Sequence, residues 1–157
     1  MACSHKLAGI EQTIEWFGNP DWGLGLPFPT LLAYLAAYTE VIGALLLLLG
    51  LATRWITIPL IVTMLVAIFA VHWDNGWAAI ADSSSQEIAV RLGAAKDLLR
   101  EYGNYSWLTE KGSLVILNNG IEFGVTYLVM LVSLLFTGGG RYVSLDYYLS
   151  RLFPARA

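Results

Sequence analysis

Residues 34–54 read YLAAYTEVIGALLLLLGLATR, and Glu40 is the only charged residue in the run before Arg54. Extended back to Pro29, the run is long enough to cross a bilayer as a helix, which takes ~20 apolar residues at ~1.5 Å rise each. A carboxylate at that depth costs at least ~2.5 kcal/mol on insertion scales unless it finds a partner. Glu40 shares a helical face with Ala33, Ala36, Ala37, Gly43 and Ala44, small residues that let a neighbouring helix come close. The acid is therefore expected to face into an all-α transmembrane bundle rather than toward lipid.

Composition agrees. Of 157 residues, 57% are hydrophobic and 13% charged, against ~25% charged in soluble domains. The net charge of -3 comes with no basic stripe, which argues against a nucleic-acid partner. Cys3 is the only cysteine, which excludes an intrachain disulfide, a CxxC pair and an all-thiolate metal site. His5 and His72 stand outside any ligand motif, so no metal site is expected.

Three apolar runs are predicted to span: about Pro29 to Leu51, about Trp55 to His72, and about Ser113 to Thr137. Ala52, Thr53 and Arg54 join the first two as a tight hairpin. Gly138, Gly139 and Gly140 end the third and let the chain turn. Between the second and third lies a polar insert, 73–112, within one membrane domain covering 1–157. In the insert, Ser84 and Glu87 form a predicted capping box. Ile88, Leu92, Ala95, Leu99 and Tyr102 then recur at helical spacing before Gly103 and Asn104. Either an amphipathic external helix or a solvated connector fits this pattern. At the C-terminal end, Leu145, Tyr148, Leu149, Leu152 and Phe153 share a face of a short interfacial helix, and Trp16, Trp22, Trp55, Trp73 and Trp77 fall near span ends as anchors.

Arg54, Arg141, Arg151 and Arg156 face Asp146 alone on the short-loop side. The other side spreads Lys6, Arg91, Lys96, Arg100 and Lys111 among many acids. The positive-inside rule then puts the C-terminus in the cytoplasm. Three spans would leave the N-terminus outside. With Leu7, Ile10, Ile14 and Phe17 at helical spacing in the N-terminal stub, a first membrane helix is expected to be missing ahead of Met1.

The third run carries Asn118, Asn119, Glu122, Thr126 and Ser133. Glu40 lies about ten residues and Glu122 about nine residues from the outer ends of their predicted spans, depths that differ by only a few Å at ~1.5 Å per residue. If the spans are neighbours, the two acids face one level of the bundle and one is protonated or bridged, with Tyr34, Tyr38 and Tyr127 as donors. Such a pocket can handle protons or bind a quinone. A carboxyl pair can equally serve as hydrogen-bonded glue between helices. His72, at the outer end of the second run, is a further pocket candidate.

These residues together resemble the DoxX family of small bacterial inner-membrane proteins, related to the DoxD subunit of thiosulfate:quinone oxidoreductase. The resemblance rests on HKL at His5 to Leu7, on E-x-x-G-A-x-x-L-x-x-G-L-x-T-R from Glu40 to Arg54, and on His72. Asn119 with Glu122, and GGGRYVSLD from Gly138 to Asp146, complete it, and Arg54, Arg141, Ser144 and Asp146 are taken from these motifs as interfacial residues. It implies a four-helix bundle of the bacterial plasma membrane with both ends cytoplasmic, here lacking the first helix and carrying an insert the family does not explain. For function it implies a membrane subunit or accessory of a redox assembly, not catalytic by itself. A quinone is the cofactor such a role admits, and redox proteins, the bilayer and a second copy of the chain are the expected partners. A scaffold recruiting partners through the external loop is the alternative. A small proton-coupled transporter is a weaker one, since no inverted repeat is visible.

Overall fold

The structure, a computed structural model, describes residues 9–152, so His5, Lys6 and Phe153 lie outside the described residues. Pro29 opens the first long helix, where its missing N–H costs nothing. Gly50 closes it in the left-handed conformation at φ 60, its N–H returning to the carbonyls of Leu46 and Leu47. Between them runs α2, Pro29–Leu49, preceded by the short α1, Ile10–Gly18. The turn at Gly50 and Ala52, the latter also left-handed at φ 50, leads into α3, Thr53–Ala67. The same apolar run passes through a π-turn at Ile68–His72 and a 3-10 turn at Trp73–Asn75. As predicted, α2 and α3 form a hairpin.

Pro29–Leu49 and Thr53–Asn75 have mean hydropathies of 2.0 and 2.2, and only 17% of each apolar window is buried. A soluble protein rarely leaves apolar surface so widely open. Phe28, Leu48 and Trp55 are more than three-quarters exposed. With lipid as the surrounding solvent the exposed aliphatic face needs no cover, and the two helices mark a membrane protein.

The third apolar element differs from expectation. Helix α6 covers Glu122–Thr137, beginning nine residues after the predicted Ser113 and too short to be counted with the other two as a span. Residues 113–121 are instead non-helical, with an isolated antiparallel bridge between Ile80 and Leu117. Asn119 adopts φ 57, a left-handed conformation that asparagine tolerates and that breaks helical continuity. The equal-depth reasoning for Glu40 and Glu122 loses its basis here, because Glu122 opens its helix.

The chain divides into two compact units, Met1–Val71 with Gly124–Ala157, and His72–Phe123. In the first, α2 packs against both α1 and α3. Ala33, Ala37 and Gly43 of α2, and Thr57 and Leu60 of α3, are buried. A Cβ on Gly43 would lie 2.9 Å from both terminal methyls of Leu60, so the absent side chain sets the helix separation. The Thr57 hydroxyl is satisfied by the Arg54 carbonyl at 2.9 Å. Helix α7, Leu145–Leu152, follows the glycine turn as predicted.

The second unit contains the predicted insert helix as α4, Gln86–Tyr102, and the single-turn α5, Tyr105–Leu108. Gly103 ends α4, and the Asn104 side chain accepts from the Trp107 amide to start α5. The expected capping box does not form. Ser85 is the N-cap and bonds no helix amide with its side chain, while Ser84 gives its N–H (2.9 Å) and its hydroxyl (2.8 Å) to Asp82. Those two bonds, the backbone one first, hold the Asp82 carboxyl below the usual range. A local Asp–Ser turn has outcompeted the helix cap.

Candidate functional site

Glu40 sits in the middle of the α2 packing seam. It is half-buried, one turn from buried Ala37 and Gly43, and it is partnered rather than free. The small-residue reading of this face holds for Ala33, Ala37 and Gly43, whereas Ala44 is exposed. Tyr34 and Tyr38 stack on each other at 6.1 Å on the more open side of α2. Tyr38, two residues before Glu40 on α2, is exposed.

Glu122, Asn118, Asn119 and His72 meet within the second unit. The Glu122 carboxylate accepts the Ala79 amide at 3.0 Å. The Asn118 side-chain amide donates to the carbonyls of Asn75 and Ala78. The Asn119 carbonyl accepts from Asn75 Nδ2 at 3.2 Å and lies 2.9 Å from His72 Nδ1. Since a carbonyl only accepts, that nitrogen carries the proton. Backbone bonds from Asn118, Asn119, Gly120, Ile121 and Glu122 to residues 76–79 zip the two segments together. These residues thus act as a clasp, and of the expected polar stripe Glu122, Thr126 and Ser133 lie on α6 whereas Asn118 and Asn119 precede it. Thr126 lies on α6 in the first unit.

The interfacial residues converge far more than the sequence suggested. The Asp146 carboxylate accepts the amides of Ala52 (2.7 Å) and Thr53 (2.9 Å), 94 and 93 residues away. It supplies the first turn of α3 with a charge where the helix dipole favours one. Ser144 gives its hydroxyl, and Asp146 its backbone N–H, to the Gly50 carbonyl, each at 3.0 Å. Arg54 donates to the Phe136 carbonyl at 3.0 Å, compensating the end of α6. Gly138 and Gly140 take φ 74 and 82, and a Cβ on Gly139 would crowd the hydroxyls of Ser144 and Thr53. The sequence marked Thr53 and Gly139 only as turn residues, not as parts of one site. Only the glycine run hinted at so close an approach.

Residues 1–73 match the DoxX family model. Asn119, Glu122 and Gly138–Asp146, which also carry the resemblance, fall beyond that match. Over 66 residues the chain is 39% identical to "Putative oxidoreductase CatD" of Bacillus subtilis (strain 168). The alignment covers 42% of this chain and 45% of that protein, so the chain spans less than half of its relative's length. No solved structure matches. Glu40, the Gly50 turn and Arg54 all fall within the DoxX-matching residues 1–73.

Proposed function

We propose that this chain is a non-catalytic membrane subunit of a redox assembly in the bacterial plasma membrane, with its C-terminus cytoplasmic and Glu40 handling protons beside a quinone. The observation that carries this reading is Glu40 itself. It is a half-buried acid in the packing seam of an apolar helix, inside the DoxX-matching segment. An acid kept at that depth is by default functional rather than ornamental, and a carboxyl in such surroundings can exchange protons with a reduced ring. The name of the Bacillus subtilis relative supports the redox setting, and the arginine count supports the orientation. Glu122, engaged with Ala79, is a separate acid of the same proposal, and a second copy of the chain would enlarge the polar surface available.

Glu40→Gln keeps size and hydrogen-bonding capacity but removes the titratable proton. Quinone reduction by membranes holding the chain with its partners is expected to fall at least tenfold, with the variant still membrane-inserted. An unchanged rate would remove Glu40 from the reaction.

One observation favours a second reading, a scaffold for soluble partners. Val90, Leu98, Tyr102 and Trp107 of the second unit are all more than 60% exposed. Deleting residues 82–103 is then expected to empty a pull-down of partners that the intact chain retains. Retention of every partner would dispose of the scaffold.

A further inference from the structure

Where α2 turns into α3, a cavity of about 450 Å³ opens between Arg54, Trp55, the Gly138–Gly140 turn, Arg141 and Ser150. Two arginines on one opening invite an anion. The acid in its wall, Asp146, is committed to the amides of Ala52 and Thr53. Arg54 uses one terminal nitrogen on Phe136, and a guanidinium has five N–H donors in all. Arg141 is exposed and makes no hydrogen bond or ion pair among the described residues. Behind the glycine turn, Thr53 is 2% exposed and its hydroxyl has no partner, although buried hydroxyls are nearly always satisfied.

We propose that this cavity takes the phosphate of an anionic phospholipid headgroup. Planar guanidinium groups suit phosphate oxygens in a paired, bidentate manner that a lone ammonium does not. Phosphate is common to lipid headgroups and soluble anions, and the surroundings favour the lipid. The cavity sits at the shared end of two apolar helices long enough to span. Trp55, 78% exposed on its rim, is a residue type that seats itself at headgroup level. Anionic leaflets attract arginines placed next to spans. The inference does not depend on the redox reading, because it uses neither Glu40 nor a quinone.

Native mass spectrometry of the full chain in mild detergent tests it, titrating phosphatidylglycerol, phosphatidylcholine and inorganic phosphate separately. The chain is expected to hold one phosphatidylglycerol in preference to phosphatidylcholine. R141Q is expected to weaken that binding about tenfold, R141K to restore part of it, and the charge-matched R91Q in the second unit to leave it unchanged. Arg141 makes no hydrogen bond or ion pair among the described residues, so R141Q should keep its helical circular dichroism. Arg54→Gln should weaken binding too, although it also removes the contact to Phe136. Equal phosphatidylglycerol binding by the chain and R141Q would overturn the site. Displacement of the lipid by millimolar inorganic phosphate, with the same dependence on Arg141, would overturn the lipid assignment and leave a soluble phosphate as the ligand.

Discussion

Asp146→Ala is expected to lower the melting temperature of the detergent-solubilised protein by about 6–12 °C, corresponding to roughly 3 kcal/mol at ~2–4 °C per kcal/mol for a chain of this size. The carboxylate holds two amides of the α2–α3 turn at 2.7 and 2.9 Å. Hydrogen bonds to a charged group are worth ~1.5–3 kcal/mol each, and a pair sharing one carboxylate falls short of twice that. Alanine leaves Ala52 N–H and Thr53 N–H as uncapped donors at the start of α3. Asp146→Asn keeps one acceptor oxygen and should lose about half as much. Asp97→Ala, which removes only an exposed pair with Arg100, should cost under ~1 kcal/mol. Differential scanning fluorimetry on the three variants reads the order directly. A shift for Asp146→Ala no larger than that for Asp97→Ala would mean the turn is held by Ser144 and the glycines instead.

The parts of this fold legible in the sequence are those specified locally. Pro29 opens α2, Gly103 stops α4, and Gly138 to Gly140 turn the chain into α7. Each works through backbone conformation within a few residues, which a sequence displays. The run SLVILNNG, 113–120, reads as the start of a helix because apolar residues in a short stretch suit a buried helix and an extended segment alike. What decided it was pairing with residues 76–81, together with Asn119 in a left-handed conformation and Gly120. The Asn–Asn–Gly sequence was a breaker signal that hydropathy outweighed. At the candidate site, Glu40 was legible from its small-residue neighbours. The reach of Asp146 to a turn more than ninety residues earlier was not, since nothing local encodes a tertiary cap.

Gly120→Ala tests the clasp that replaced the predicted helix. Gly120 is buried, and a Cβ there would lie 2.5 Å from the carbonyl oxygens of Gly76 and Ala78 and 2.7 Å from that of Trp77. Three backbone oxygens cannot rotate away as a side chain would, so the two segments must part. The expected cost is about 3 kcal/mol, the upper end for overpacking. At ~1.4 kcal/mol per tenfold, amide exchange in peptides covering 76–81 and 116–122 should accelerate roughly a hundredfold. The bonds at stake include Asn118, Asn119, Gly120 and Ile121 to residues 76–79, and the Glu122 carboxylate to the Ala79 amide. Gly93→Ala is the control in the same unit. Nothing lies within 4 Å of its added carbon, and alanine in a helix interior should stabilise α4 by up to ~1 kcal/mol. Exchange in Gly120→Ala as slow as in Gly93→Ala would mean residues 113–121 can hold another conformation, and the helix read from Ser113 would return as a candidate. Rapid exchange confined to these peptides would instead assign Glu122 a structural task, keeping the clasp closed, and leave Glu40 as the acid whose depth in an apolar helix still asks for a chemical purpose.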